Sequence, residues 1–294
     1  MIVDVHTHTP THRDAVPDAE RLVYPAWRND RPVVTTNSWA DFDAAQSAAD
    51  VSIVFNIAVP DPLAMTGLPY DLETCNDRTA AFVAAAPERR IGFMGLDPRW
   101  EDLVEQVDRC QALGLVGIKL GPNYQGFDPL CDEAHALYAL AAERGLPILF
   151  HQGTSPIREA PIRFAHPLTM DEIAIAHPEL RVVMAHMGHP WPRETAVVVR
   201  KHPHVYADVS SLILRPWMCW EALTMAHEWG ATGKLLLGSD FPIATAGETI
   251  AGLRRVNEIV EGTRLPRVPE EAIERIVHAD ALAALGLEGP AAAR

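Results

Sequence analysis

The chain lacks the short-range signatures of thiol chemistry. Its four cysteines, Cys75, Cys110, Cys131 and Cys219, include no Cys-x-x-Cys pair. A thiolate zinc site or a thioredoxin-type motif is therefore not expected. The cysteines fall on segments that read as helical and suit small buried hydrophobes in a reducing cytoplasm. No apolar run approaches the ~20 residues of a membrane span. Residues 1–6 carry no basic stretch followed by an apolar one, so no signal peptide is expected. Positive charge is scarce: 25 Lys and Arg face 39 Asp and Glu, a net charge of −14. That balance argues against nucleic acid and anionic membranes as partners. No Gly-x-Gly-x-x-Gly follows a strand-like run, so a dinucleotide fold lacks its fingerprint. No linker or internal low-complexity segment divides the chain; only the Ala-rich tail, Ala291–Arg294, reads as frayed.

The remainder reads as one repeated unit. The chain has 294 residues, 48% hydrophobic and 22% charged, an ordinary globular composition. Short aliphatic runs predict strands at Ile2–Val5, Val51–Ala58, Ile91–Leu96, Val116–Leu120, Pro147–Phe150, Arg181–Ala185, Val205–Val209 and Lys234–Leu237. Most are continuously apolar rather than alternating, as parallel strands covered on both faces must be. Helical patterns separate them. Capping-box spacing predicts helix starts at Ser38-Trp-Ala-Asp41 and Thr169-Met-Asp-Glu172. Glu101–Leu113 places Leu103, Val104, Val107, Cys110 and Leu113 on one face and stops at Gly114. Leu130–Arg144 repeats the pattern and stops at Gly145. Further helices are expected at Glu221–Trp229, Thr249–Val260 and, after the last unit, Glu270–Leu285. Eight strand-then-helix units predict a (β/α)₈ TIM barrel of the α/β class, a single domain over residues 1–290 with an extra C-terminal helix. An open doubly wound sheet is the alternative.

One connection is too long for a plain barrel. Thr9 to Asn37 shows no periodicity, and loops of that length are usually functional or disordered. It leaves the C-terminal end of the first strand, where barrel active sites sit. It carries Arg13, Arg21, Arg28 and Arg31, with Tyr24, Trp27 and, just beyond it, Trp39. Arginine binds carboxylates bidentately and Trp offers a stacking wall, so Arg28 and Trp27 are candidate substrate contacts.

Thirteen histidines are present, and some fall at strand ends. His6 and His8 form His-x-His at the end of the first strand, so both side chains point to one face. His151 closes the fifth strand, His186 the sixth, and Asp240 the eighth. Residues at those ends share one rim. Three imidazoles and a carboxylate suit a borderline divalent ion such as Zn²⁺, with a position left for water. Such an ion lowers the pKa of water and polarises a bound oxygen. Asp240 then either binds the ion or takes a proton from the water, and His186 serves as acid or oxyanion partner. Asp208 reads either as an acceptor behind a ligating imidazole or as a helix cap. His166 and His189 read as ordinary rim residues, and the remaining seven histidines as surface or capping groups. Gln152 and Arg215 follow strand ends and are candidate substrate contacts.

His6-x-His8, Gly117-Ile-Lys-Leu120, Leu149-Phe-His-Gln-Gly153, Ala185-His-Met-Gly188 and Gly238-Ser-Asp-Phe-Pro242 resemble the amidohydrolase superfamily, more narrowly its amidohydrolase-related branch. That branch holds aminocarboxymuconate-semialdehyde decarboxylase, resorcylate decarboxylases and pyrone-dicarboxylate lactonase, and the match runs from residue 2 to about residue 285. The resemblance implies a single zinc or manganese ion on His6, His8, His151 and Asp240, with His186 as the catalytic acid/base. In binuclear members of the superfamily a lysine on the fourth strand is carboxylated and bridges two metals. Lys119 sits at that place, but in this branch no bridging carbamate, and so no second metal, is expected. Lys119 then either pairs with a substrate carboxylate or is a snorkelling lysine. The implied activity is hydrolysis of a small carboxylate-bearing lactone or amide. The alternatives are non-oxidative decarboxylation of an aromatic or muconate-type acid, or a metal-binding barrel without catalysis. The expected partner is a small anionic molecule, in a cytoplasmic protein that is a possible homodimer.

Overall fold

The computed structural model describes residues 1–25, 27–58 and 72–289, so the predicted frayed tail at Ala291–Arg294 lies outside the described residues. The barrel strands are β1 (Val3–His8), β4 (Val51–Phe55), β5 (Arg90–Gly95), β6 (Gly117–Leu120), β7 (Ile148–Phe150), β8 (Val182–Met184), β9 (Val205–Asp208) and β10 (Leu235–Leu236). All eight coincide with predicted strands. Each pairs in parallel with the next in that order. The ring closes between last and first: Val5 N donates to the Leu237 carbonyl at 2.9 Å, and Asp240 N to the His6 carbonyl at 2.8 Å. Nearly every strand residue is buried, which is why the strands read as continuous apolar runs.

Two apolar layers follow from this closure. Val5, Ile53, Phe55, Phe93, Leu149, Val183 and Leu236 form one packed cluster with Ala281, Leu282 and Leu285. Those last three belong to α11 (Ala281–Leu285), which joins the strand-facing core. The strands' remaining apolar side chains, such as Ile118, Ile148 and Met184, pack with the surrounding helices.

The helices that carry this outer layer are α1 (Trp39–Ala45), α2 (Leu72–Ala84), α3 (Leu103–Ala112), α5 (Asp132–Arg144), α6 (Leu168–Ala176), α7 (Pro192–Lys201), α8 (Pro216–Glu228), α9 (Ala246–Arg254) and α10 (Glu270–Val277); a single turn, α4 (Pro122–Gln125), follows β6. The Ser38 capping box is formed: Asp41 N donates to Ser38 Oγ and Ser38 N to the Asp41 carboxylate. The one expected at Thr169 is not. Pro167 already occupies the cap position, and Thr169 sits inside the first turn with its hydroxyl donating to the His166 carbonyl. The expected helix Thr249–Val260 starts earlier, on a box between Thr245 and Glu248, and finishes as a 3₁₀ turn over Val256–Val260. The expected helix Glu270–Leu285 is two helices. Asp280 breaks it and caps the second by accepting from Ala283 N. On α3, Val107 and Cys110 are buried as expected, but Val104 and Leu113 are exposed. Helices α2 and α7 lack a predicted counterpart.

The long first connection is partly ordered by its own pairing. β2 (Val23–Tyr24) and β3 (Val33–Val34) form a small antiparallel hairpin. Arg28 and Arg31 both reach Glu248 at the start of α9, which fastens the hairpin over the barrel mouth. Among the described residues no helix is long and apolar enough to cross a membrane.

Candidate metal centre and active site

A cavity of about 400 Å³ opens at the C-terminal ends of the barrel strands. His6, His8, Lys119, His151, His186, Trp27, Arg215 and Asp240 all line it, so the barrel brings together residues from seven segments of sequence. Two expected contacts are elsewhere. Arg28 is buried and does not line the cavity: Nε and Nη2 donate to the Asp30 carboxylate and Nη1 to the Ile243 carbonyl. With its donors so engaged it is a fastener of the loop rather than a substrate contact. Gln152 is fully buried outside the lining, and neither its amide nitrogen nor its amide oxygen has a hydrogen-bond partner.

The geometry begins with β1. Extended backbone sends His6 and His8 to one side, over the ring of Phe55 at centroid distances of 5.1 and 5.2 Å. Their Nε2 atoms each lie 3.4 Å from Asp240 Oδ1. These three residues hold their ligand atoms within 4.8 Å of one another. His151 lies outside that tight trio but lines the same cavity. Its Nε2 is buried without a hydrogen-bond partner, an orphaned donor atom of the kind a metal satisfies. Its ring contacts Tyr124 at 4.5 Å and His186 at 5.1 Å.

Behind this trio stands a hydrogen-bonded set that sets the tautomers. His6 Nδ1 donates to Asp208 Oδ2 at 2.8 Å, which leaves Nε2 as a lone pair facing Asp240. Ser210 Oγ donates to Asp208 Oδ1, so it accepts from His186 Nδ1 at 2.7 Å. His186 Nε2 is therefore the unprotonated nitrogen of a neutral ring. His186 N also donates to Asp208 Oδ1 at 2.9 Å. His6, His186 and Asp208 are close enough to form a second candidate cluster, but His6 Nδ1 is already engaged by Asp208 and His186 Nδ1 by Ser210. Asp208 thus accepts from the His6 imidazole and is not a helix cap.

Protonation states suit a cation. Burial pushes the pKa of His8, His151 and His186 below the ordinary imidazole value, so all three are neutral. Burial alone would raise Asp240, but the imidazoles of His186, His8 and His6 outweigh it and keep the carboxyl ionised. Neutral nitrogens and an anionic oxygen are what a divalent ion requires. The residues present therefore fit the metal that the sequence implies. Lys119 is fully buried with Nζ 4.5 Å over the Phe55 ring and without a hydrogen-bond partner. Burial lowers its pKa to about 7, so the snorkelling reading fails.

The backbone at the site is strained. His186, Met187, Ser211 and Asp240 all have positive φ, at 57°, 47°, 60° and 64°, and Ser211 Oγ donates to Asp240 Oδ2 at 2.6 Å. Left-handed non-glycine residues persist where the surroundings over-determine them, commonly at active sites.

The cavity lining also includes residues to which sequence reasoning gave no functional role: Tyr124 follows β6 on the turn α4, Ser211 follows the end of β9, and His189, read as an ordinary rim residue, lies three residues after His186. The strand-end rule that selected His186 covers all of them, but their residue types carried no separate signal. His166, by contrast, does not line the cavity; its Nδ1 accepts from Leu168 N.

A family model described as amidohydrolase matches residues 3–287. No match is found among curated proteins. Solved structures share the fold at low identity. A dihydroxybenzoic acid decarboxylase from Polaromonas sp. JS666, with bound manganese and 2-nitroresorcinol, is 16% identical with a TM-score of 0.65 over 97% of this chain and 96% of that one. A probable 2-pyrone-4,6-dicarboxylic acid hydrolase from Acinetobacter baumannii, with citric acid bound, is 14% identical with a TM-score of 0.63 over 97% and 99%. A 5-carboxyvanillate decarboxylase from Sphingomonas paucimobilis is 13% identical with a TM-score of 0.62 over 98% and 99%. The chain belongs to the amidohydrolase family and is an enzyme of amidohydrolase type.

Proposed function

We propose that this enzyme hydrolyses a small carboxylate-bearing lactone or amide, with one divalent ion held by His6, His8, His151 and Asp240. The observation that carries the reading is the proton inventory of the cavity. His186 is neutral with Nδ1 bound to Ser210, so Nε2 accepts a proton. Asp240 is ionised and also accepts. Hydrolysis needs a base for water at the start of the reaction; decarboxylation needs an acid that delivers a proton to carbon.

When bound, the ion supplies Lewis acidity that makes water a stronger acid and polarises the substrate carbonyl. His186 Nε2 receives the proton of the attacking water, with the ionised Asp240 close by in the same cavity. His186 then returns it to the leaving oxygen or nitrogen. Arg215 lines the mouth, and no hydrogen bond or ion pair to its guanidinium is present among the described residues. It is the anchor for the substrate carboxylate, with Lys119 as a second cation and Trp27 as an apolar wall. Zinc fits the nitrogen-rich donor set, with manganese as the alternative. The partner in this reading is a small anionic molecule and neither nucleic acid nor membrane, for a cytoplasmic protein.

The test is direct. Zinc- and manganese-loaded protein is incubated with 2-pyrone-4,6-dicarboxylate and with dihydroxybenzoates in ¹⁸O-labelled water. Ring opening with one ¹⁸O in the product supports hydrolysis. Carbon dioxide release from a dihydroxybenzoate without label incorporation overturns it. Metal analysis should give about one ion per chain; two would assign the second to a carboxylated Lys119.

A further inference from the structure

His189 has no role in the chemistry above, yet it is held with care. The residue is 7% exposed and its ring lines the cavity. Imidazoles with structural duties in this fold are tied by their ring nitrogens: His12 to Glu20 at 2.9 Å, His135 to His177 at 2.9 Å, His202 to Asp171 at 2.6 Å. His189 is different. Its Nδ1 is buried without a hydrogen-bond partner, and its ring meets the edge of His186 at 5.2 Å.

The backbone fixes the ring instead. His189 N donates to the His186 carbonyl at 3.0 Å, and the His189 carbonyl accepts from Thr154 N at 2.8 Å. Gly153 makes that second contact possible. Its φ is +102°, and a Cβ there would lie 2.1 Å from the His189 oxygen. Two loops, after β7 and after β8, are thus locked together around an imidazole whose polar atoms they do not use. Burial pushes its pKa down to about 4 and the nearby Arg215 charge adds to this, so the ring is neutral.

We propose that His189 is a specificity-determining residue that hydrogen-bonds the substrate directly, beside Arg215, on the same carboxylate. Arg215 supplies the charge and His189 a neutral donor, a pairing that fixes the carboxylate's orientation as well as its position. This rests on the reading that a carboxylate-bearing molecule occupies the cavity. It does not depend on which reaction follows.

The test uses zinc-loaded full-length protein and benzene-1,3-dicarboxylate, an unreactive planar diacid, followed by calorimetry. His189→Phe, which keeps a ring but no polar atom, is expected to weaken binding about tenfold. His189→Asn, which keeps a donor, is expected to stay within about threefold, and both should retain their zinc. Unchanged affinity in His189→Phe overturns the proposal, as does failure of the wild-type protein to bind the diacid. Loss of zinc in both variants also overturns it, by making His189 a metal ligand. Intact diacid binding with no turnover in the labelled-water assay would sink the hydrolase reading alone.

Discussion

Asp208 Oδ2 sits 2.8 Å from His6 Nδ1, and this single contact decides which nitrogen of His6 is offered to the cavity. Asp208→Asn removes the charge behind the imidazole and permits the wrong tautomer. Zinc affinity, measured by competition with a chelating dye, should fall about ten- to a hundredfold. Unchanged affinity would mean that His6 does not ligate.

His186 stands apart from the Asp240 trio and is fixed through Ser210 and Asp208. His186→Asn should retain the metal while kcat falls by about a hundredfold or more. A variant that loses its zinc would place His186 among the ligands instead.

Lys119 should leave a signature in stability against pH. Its pKa is pushed down to about 7 from 10.5 by burial, so the folded chain binds this proton more weakly than the unfolded chain. The penalty is full below pH 7 and relieved as pH rises from about 7 toward 10.5. For metal-free protein the range is on the order of 5 kcal/mol. Lys119→Met should flatten the rise in urea midpoint between pH 6.5 and 9; an identical slope in both proteins would refute the assignment.

Gly153 carries a φ of +102° against the His189 carbonyl. Gly153→Ala is expected to cost about 2 kcal/mol or more in urea unfolding, because both the backbone conformation and the contact forbid a Cβ. A cost below ~0.5 kcal/mol would show that the two loops separate readily.

What the sequence made legible follows from burial. Strands covered on both faces, such as Ile148 to Phe150 and Val182 to Met184, are apolar without alternation, so they stand out. A polar residue that ends such a run, as His151 and His186 do, is conspicuous. The hairpin of β2 and β3 was not readable because two-residue strands have no period. Thr169 matched a capping box by spacing alone, while Pro167 had already taken the cap. Arg28 looked available to a ligand because nothing in linear order says that Asp30 and the Ile243 carbonyl occupy its donors. His189 reads as an ordinary rim residue in the sequence because its distinguishing property is an unused nitrogen, which only three-dimensional neighbours define.

The seam that closes the barrel has a consequence for how the protein is made. Asp4 accepts from Ser239 N across 235 positions of sequence, and Asp240 N donates to the His6 carbonyl at the same seam. The ligand trio therefore does not exist on a ribosome until residue 240 has emerged, long after His6 and His8. A nascent chain carries two imidazoles waiting for their carboxylate. The cluster of His6, His8 and Asp240 comes together only when the last strand has found the first.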